Sequence, residues 1–447
     1  MIRERKCSSV ELVEAHLEQI ARVDPAIHAT VAVLREKALE LARRADQDLA
    51  RGQSQGPLHG VPFSIKDSIE VEGTVCTAGT WGQREASPSH KDATAVARLR
   101  EAGAIPLAKT NLPDLLFAFE TDNLLFGPTR NPYDQTRTPG GSSGGEAALI
   151  AACGSPCGLG SDAAGSVRLP AAFCGITGIK PTSGRLPRTG HFPPAGGWIE
   201  MLWQIGPMAR HVEDLNLLMR LLVEGDGCDF SVADIPFADP RSVDLRGLRA
   251  AFYTDNGLVP ATTEVSAVVR AAAQALATEV SSMEEARPAC LPQAYDLEMK
   301  LLGADGGDAL RSYLQQLGSD RLHPLLSAWL TKLERYRVNL EGFSVYWAEL
   351  DRYRSEMYAF LRKYDVILSP VYAETALALG ASIEDRNFRA FSYTMAYNVA
   401  GWPAAVVCCG RSPEGLPTAV QVATRPYRED IALAVALRLE EIFGGWQ

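Results

Sequence analysis

Two serines and a lysine carry the most legible chemistry in this chain. Ser142 lies in Pro139-Gly140-Gly141-Ser142-Ser143-Gly144-Gly145 and Ser166 in Asp162-Ala163-Ala164-Gly165-Ser166-Val167-Arg168, while Lys66 sits upstream in Ser64-Ile65-Lys66-Asp67-Ser68. Hydroxyls, small-residue backbone amides and one amine suffice for acyl transfer without histidine. Amide hydrolysis needs an activated nucleophile, a proton route to the departing nitrogen and donors aimed at the tetrahedral oxyanion. Serine at its own pKa is a weak nucleophile, so a base must stand nearby. Lysine serves only when its amine is neutral, a state that burial favours by lowering its pKa. On local sequence, Lys66 fits that requirement better than Lys109 or Lys180.

Taken alone, the glycine–serine block also reads as a merely tight loop. A phosphate loop does not fit, because no Gly-Lys-Ser/Thr closes the motif. No Gly-x-Ser-x-Gly nucleophile elbow is present either.

The elements that must position these groups alternate between helix and short apolar strand. Ser8-Ser9-Val10-Glu11 has the form of a capping box, and Val13, Leu17 and Ile20 continue it as one apolar helical stripe, with His16 beside it. Gly60 to Lys66 reads as a short strand that delivers Lys66 near its end, 92–103 as a helix closed by glycine, and Ile105 to Lys109 as another strand. Residues 127–190 are glycine-dense punctuation, interrupted by an alanine-rich helix over 146–152. Downstream, Leu248 to Tyr253, Val366 to Leu368 and Ala404 to Cys408 read as strands. Helices are expected over 263–280, 391–399 and 429–442, and helical excursions over the main body at about 288–345. The pattern predicts an α/β fold with strands covered on both faces.

With 447 residues the chain can bury a large core as one α/β unit. The formal charge of -10, without a basic cluster, argues against a surface built for nucleic acid or an anionic membrane. No run approaches the roughly 18 apolar residues of a membrane span, and no signal core follows the charged first residues, so a cytoplasmic location is the expectation. Nine cysteines, several in alanine-like surroundings, predict free and mostly buried thiols in a reducing compartment. Cys153 and Cys157 lack partners at zinc-site spacing, so no metal is expected.

Four stretches closely resemble the signature of the amidase signature family: Gly127-Pro128-Thr129-Arg130-Asn131-Pro132, Pro139 to Gly145, Gly160 to Pro170, and Gly178-Ile179-Lys180-Pro181-Thr182. Pro62 to Asp67, Gly103 to Asn111, Asn398 to Ala404 and Gly415-Leu416-Pro417 resemble further blocks of that family, in order along nearly the whole chain. The resemblance implies the amidase signature fold, an α/β architecture with a central mixed β-sheet covered by helices on both faces. It also implies one amidase domain over 1–447, its excursion at about 288–345 covering the substrate. By the same resemblance Ser166 is the nucleophile, Ser142 the bridging serine after a cis Gly141–Ser142 peptide bond, and Lys66 the base that ends the relay. The backbone N–H groups of Ala163, Ala164, Gly165 and Ser166 are implied to form the oxyanion hole. Ala164 departs from the commonest pattern, which has glycine there, and this bears on pocket shape. Asp162 and Arg168 are expected to hold the loop, and Ser143 to support Ser142 or the lysine. No cofactor is expected.

The implied reaction is hydrolysis of a small-molecule carboxylic amide, with esters and carbamates (urethanes) open to the same serine attack. Homodimer formation is compatible with this reading, and no nucleic-acid partner is expected. Phe117, Phe119, Phe126, His191, Phe192, Pro193, Pro194, Trp198 and Trp203 give the expected mouth an apolar, aromatic character that favours an aryl or acyl-chain group. The amidase component of a glutamine-dependent tRNA amidotransferase shares the same residues and is the rival reading.

Overall fold

Short apolar runs separated by helices build an eleven-stranded mixed sheet in the computed structural model, which describes residues 1–194 and 196–446. The strands are β1 (Thr30–Val33), β2 (Pro62–Lys66), β3 (Ile105–Thr110), β4 (Cys157–Asp162), β5 (Thr177–Lys180), β6 (Gln204–Ala209), β7 (Arg249–Phe252), β8 (Ser282–Glu285), β9 (Val366–Pro370), β10 (Ala404–Arg411) and β11 (Pro417–Thr424). Their spatial order is β1-β3-β2-β4-β6-β5-β10-β11-β9-β7-β8. β3, β2 and β4 run parallel, as do β9, β7 and β8, and the remaining neighbours are antiparallel.

Helices cover both faces, and the side-chain alternation of the strands decides which. Ile65, Leu159, Ile205, Val407 and Val422 pack with the helices Thr94–Glu101, Val212–Leu222, Thr263–Leu276 and Glu429–Phe443. On the other face Leu107, Ala108, Met208 and Val406 meet the helices Ser9–Ile27, Gly144–Ala151 and Arg168–Phe173. The first of these helices starts at the expected capping box, in which Ser8 and Glu11 satisfy each other's backbone amides, and buries Val13, Leu17 and Ile20. Residues 294–360 form four helices, Ala294–Gly303, Asp308–Gln316, Pro324–Glu334 and Leu340–Phe360. Among the described residues no helix is long and apolar enough to cross a membrane.

The glycine-dense stretch differs from its reading as turns, because β4 and β5 run through it. Gly158 and Gly160 hide the strand signal for a packing reason. A Cβ on Gly158 would lie 2.6 Å from the Ser64 carbonyl, and one on Gly160 would lie 2.8 Å from Ser143 Oγ. Helix Gly144–Ala151 can therefore sit directly on the strand only where side chains are missing.

One buried ion pair ties the strand ends together. Arg168 and Asp162 are both fully buried and meet through two bonds of 3.0 Å, from Nε and from one terminal nitrogen. The guanidinium also donates to Thr394 O at 2.9 Å, to Gln421 Oε1 at 2.6 Å and to Asn398. Asn398 Nδ2 returns a bond to Asp162 at 2.9 Å. β4, β11 and the helix Ser392–Val399 are thus joined at one point. Burial opposes ionisation of Asp162, yet the Arg168 guanidinium and its hydrogen bonds hold the carboxyl well below the usual range. Arg168→Met strands this carboxylate, and we expect a loss of about 3–5 kcal/mol in urea unfolding; a loss under ~1 kcal/mol contradicts the assignment.

Candidate active site

Parallel neighbours in register point to the same face, and this places the lysines. Ile65 pairs with Lys109 and Lys66 with Thr110, so the two amines leave opposite faces of the sheet. Lys109 finds Asp67 at 3.0 Å and the Ile69 carbonyl at 2.8 Å. Burial works against its charge, but the Asp67 carboxylate raises its pKa. Lys180 is also buried and pushed down to about 7, chiefly by burial, but its Nζ turns to the Pro181 carbonyl at 2.8 Å.

Lys66 has hydroxyls for neighbours. Its Nζ lies 2.6 Å from Ser142 Oγ and 3.1 Å from Ser161 Oγ, with no ion pair to any described carboxylate. Complete burial pushes its pKa down from 10.5 to about 7, a fall that the more distant Asp162 and Glu146 charges only partly oppose. Glu146, from helix Gly144–Ala151, is itself held by Ser64 and by Thr110 Oγ1 at 2.7 Å. Burial raises its carboxyl to about 8, against the pull of those hydrogen bonds and of Lys66. Burial thus weakens the negative charge that Glu146 can set against the desolvation of Lys66.

Ser161 and His191 extend this network. His191 Nδ1 is 3.0 Å from the Pro193 carbonyl, which can only accept, so Nδ1 carries the proton. Nε2 is then the acceptor, its single lone pair shared by the hydroxyls of Ser161 at 3.0 Å and Ser68 at 3.1 Å. Burial lowers the imidazole to about 3, which keeps this neutral tautomer across the working pH range. Ser161 Oγ thereby offers its lone pairs to Lys66. Neither Ser161 nor the His191 contact with it was visible from spacing, since His191 lies 30 residues further along the chain.

Ser142 and Ser166 border one cavity of about 160 Å³, together with Ser161, His191, Ala163 and Ala164. The Gly141–Ser142 peptide bond is cis. Ser143 differs from its expected place: it bonds neither Ser142 nor Lys66. Its Oγ donates to the Ser161 carbonyl at 3.2 Å and its amide to the Ser166 carbonyl at 3.1 Å, so it joins the two serine-bearing segments through their backbones.

The turn after β4 is organised by the Asp162 carboxylate, which accepts from the amides of Gly165 at 2.8 Å, Val167 at 3.1 Å and Arg168 at 3.3 Å. The Gly165 N–H is consequently directed at Asp162. Among the described residues the amides of Ala163, Ala164 and Ser166 meet no protein acceptor, which narrows the expected four-donor set to three. Positive φ falls on Gly165, at 124°, and not on Ala164. Ala164 accordingly fits the backbone and adds its methyl to the cavity wall, and its carbonyl accepts from Thr394 Oγ1 at 2.6 Å.

The remaining wall is apolar apart from Glu298. Of the aromatic candidates, Phe117, Phe119, His191 and Trp203 line the cavity with Pro193 and Pro194. Phe126, Phe192 and Trp198 do not; Phe192 packs near Tyr313, and Trp198 donates its Nε1 to the Leu301 carbonyl at 2.7 Å. Trp329, Leu302 and Glu298 reach in from the helices of 294–334, and Leu115 and Leu116 complete one side. Ala195 and Gln447 lie outside the described residues.

The family model described as Amidase matches residues 11–433. The chain is 34% identical to a glutamyl-tRNA(Gln) amidotransferase subunit of Moorella thermoacetica over 471 aligned residues, covering 99% of this chain and 94% of that relative. It is 30% identical to human fatty-acid amide hydrolase 2, covering 100% of this chain and 88% of that protein. The structure of 6-aminohexanoate cyclic dimer hydrolase complexed with substrate is similar at a TM-score of 0.87 and 29% identity, covering 99% of this chain and 95% of the other. With a mixed sheet flanked by helices and a family match over nearly its whole length, this chain belongs to the amidase signature family of C–N hydrolases, which act on amides.

Proposed function

We propose that this chain hydrolyses small-molecule carboxylic amides through an acyl-enzyme, with Ser166 as nucleophile, Ser142 as proton shuttle and Lys66 as base. The observation that carries this reading is the 2.6 Å contact between a fully buried, carboxylate-free Lys66 amine and Ser142 Oγ. A protonated Lys66 donates in that contact; a neutral one accepts from the Ser142 hydroxyl. As Ser166 Oγ bonds to the carbonyl carbon, its proton passes to Ser142 Oγ and the Ser142 proton to Lys66. The tetrahedral oxyanion is met by the amides of Ala163, Ala164 and Ser166. Collapse breaks the C–N bond while Ser142 protonates the leaving nitrogen and recovers a proton from Lys66. Water then attacks the acyl-enzyme by the same relay, releasing the acid and regenerating Ser166.

The wall favours an uncharged aryl or acyl-chain amide. Among its described residues no arginine or lysine side chain is present to hold a carboxylate, and His191 is neutral. That bears against glutamine as substrate, although the amidotransferase relatives keep a role beside partner proteins as the second reading. Esters and carbamates remain within reach of the same attack. In a panel of short amides, fatty amides, aryl anilides and aryl carbamates, aryl or acyl-chain substrates are expected to lead in kcat/KM. Glutaminase activity together with co-purifying partner proteins would instead establish the second reading.

The base must be neutral, so protonation of Lys66 removes activity. With its pKa near 7, kcat/KM is expected to climb about tenfold per pH unit below that value and to level off above it. Lys66→Met is expected to lower kcat by roughly 10²–10⁴ and abolish this limb. A profile that stays flat from about pH 5 to about pH 8 would reject Lys66 as the base.

A further inference from the structure

Glu298 stands apart from every other buried carboxyl side chain among the described residues. Glu146, Asp162, Glu120 and Glu429 each accept at least one hydrogen bond, as does every other such group. Glu298 is fully buried, and neither of its oxygens meets a partner. It borders the cavity that Ser142 and Ser166 share, on helix Ala294–Gly303, one turn before Leu302 on the same wall. An unsatisfied buried carboxyl costs stability that a leucine of similar volume would not. Because this unpartnered carboxyl belongs to the wall of the cavity, the missing partner can come from a ligand bound there.

The charge state of the group narrows that partner's chemistry. Burial first, and then the nearby Asp162 carboxylate, push the Glu298 carboxyl well above the ordinary range, with Arg168 opposing weakly. A second negative charge beside Asp162 is disfavoured, so an ammonium-bearing ligand would have to ionise Glu298 against that field. A protonated carboxyl instead presents an O–H donor and a carbonyl acceptor side by side, the complement of an amide's C=O and N–H.

We propose that Glu298 is a specificity-determining residue whose carboxyl group hydrogen-bonds, as donor and acceptor together, a second carboxamide on the substrate whose scissile carbonyl faces Ser166. This rests on the amidase reading above and names its substrate class as compounds with two amide groups. A pocket that hydrogen-bonds a substrate group rejects the analogue lacking it, because the pocket's own polar atoms are then left unpaired.

The test uses acyl p-nitroanilides at several chain lengths, ending in carboxamide, in the isosteric isopropyl group, or in a primary ammonium. The full-length wild-type protein is expected to prefer the carboxamide over the isopropyl end by about tenfold or more in kcat/KM at one length. Glu298→Gln keeps a donor and an acceptor and should retain that preference, whereas Glu298→Leu should lose it while its Tm stays equal or rises. Three results overturn the proposal: no carboxamide preference at any length, a preference that Gln loses as completely as Leu, or a lowered Tm in Glu298→Leu with preference unchanged. Fluorophosphonate labelling of Ser166 separates the two levels. A wild-type protein that neither labels nor hydrolyses any anilide refutes the amidase reading itself, and labelling without the preference refutes only the role of Glu298.

Discussion

The structure depends on keeping one amine in the protein interior without a carboxylate against it. Lys66 and Lys109 show how narrow that condition is. They leave adjacent parallel strands, both fully buried, yet Asp67 beside Lys109 raises its pKa, while hydroxyl neighbours leave that of Lys66 near 7. Desolvation decides the outcome for Lys66 because no carboxylate is in contact with it and the more distant charges only partly oppose the loss of water. Asp162 is occupied by Arg168, and burial raises the Glu146 carboxyl so that it favours the neutral form more than a free carboxylate does.

Much of the surrounding architecture follows from this arrangement. Helix Gly144–Ala151 has to approach β4 closely to bring Ser143 and Glu146 beneath the lysine, and Gly158 and Gly160 allow that approach. Asp162, spent as the anchor of Arg168 and of three backbone amides, fixes the turn that carries Ser166. Arg168 in turn fastens that turn to β11 and to the helix Ser392–Val399. A single ion pair therefore bears on both the charge near Lys66 and the shape of the loop that carries Ser166. Neutral His191 completes the arrangement by orienting Ser161 without adding positive charge.

The sequence carried several of the outer helices, five of the eleven strands and the two serine motifs, because local periodicity and capping record them directly. Ser8 with Glu11, and Val13, Leu17 and Ile20, are examples whose environment is set within a few residues. β4 escaped because its strand pattern is erased where a helix needs glycines to pack. The hydrogen bond between Ser161 and His191 escaped because it crosses 30 residues and depends on the fold bringing Pro193 to the imidazole; His191 itself was legible only as part of the mouth. The Gly165 amide was counted with its neighbours, and only its bond to Asp162 distinguishes it. Glu298 had no local mark at all; its isolation is a property of the packed cavity wall.

The central claim is that Ser166 is activated through Ser142 by a neutral Lys66. The most direct measurement is the rate of covalent labelling of Ser166 by a fluorophosphonate, followed by intact-mass analysis and peptide mapping across pH 5 to 9. The account predicts one adduct, on Ser166, forming faster as pH rises through about 7, and no such pH dependence in folded Lys66→Met or Ser142→Ala. An adduct on Ser142 or elsewhere, or a Ser166 labelling rate indifferent to pH in the wild-type protein, would contradict it.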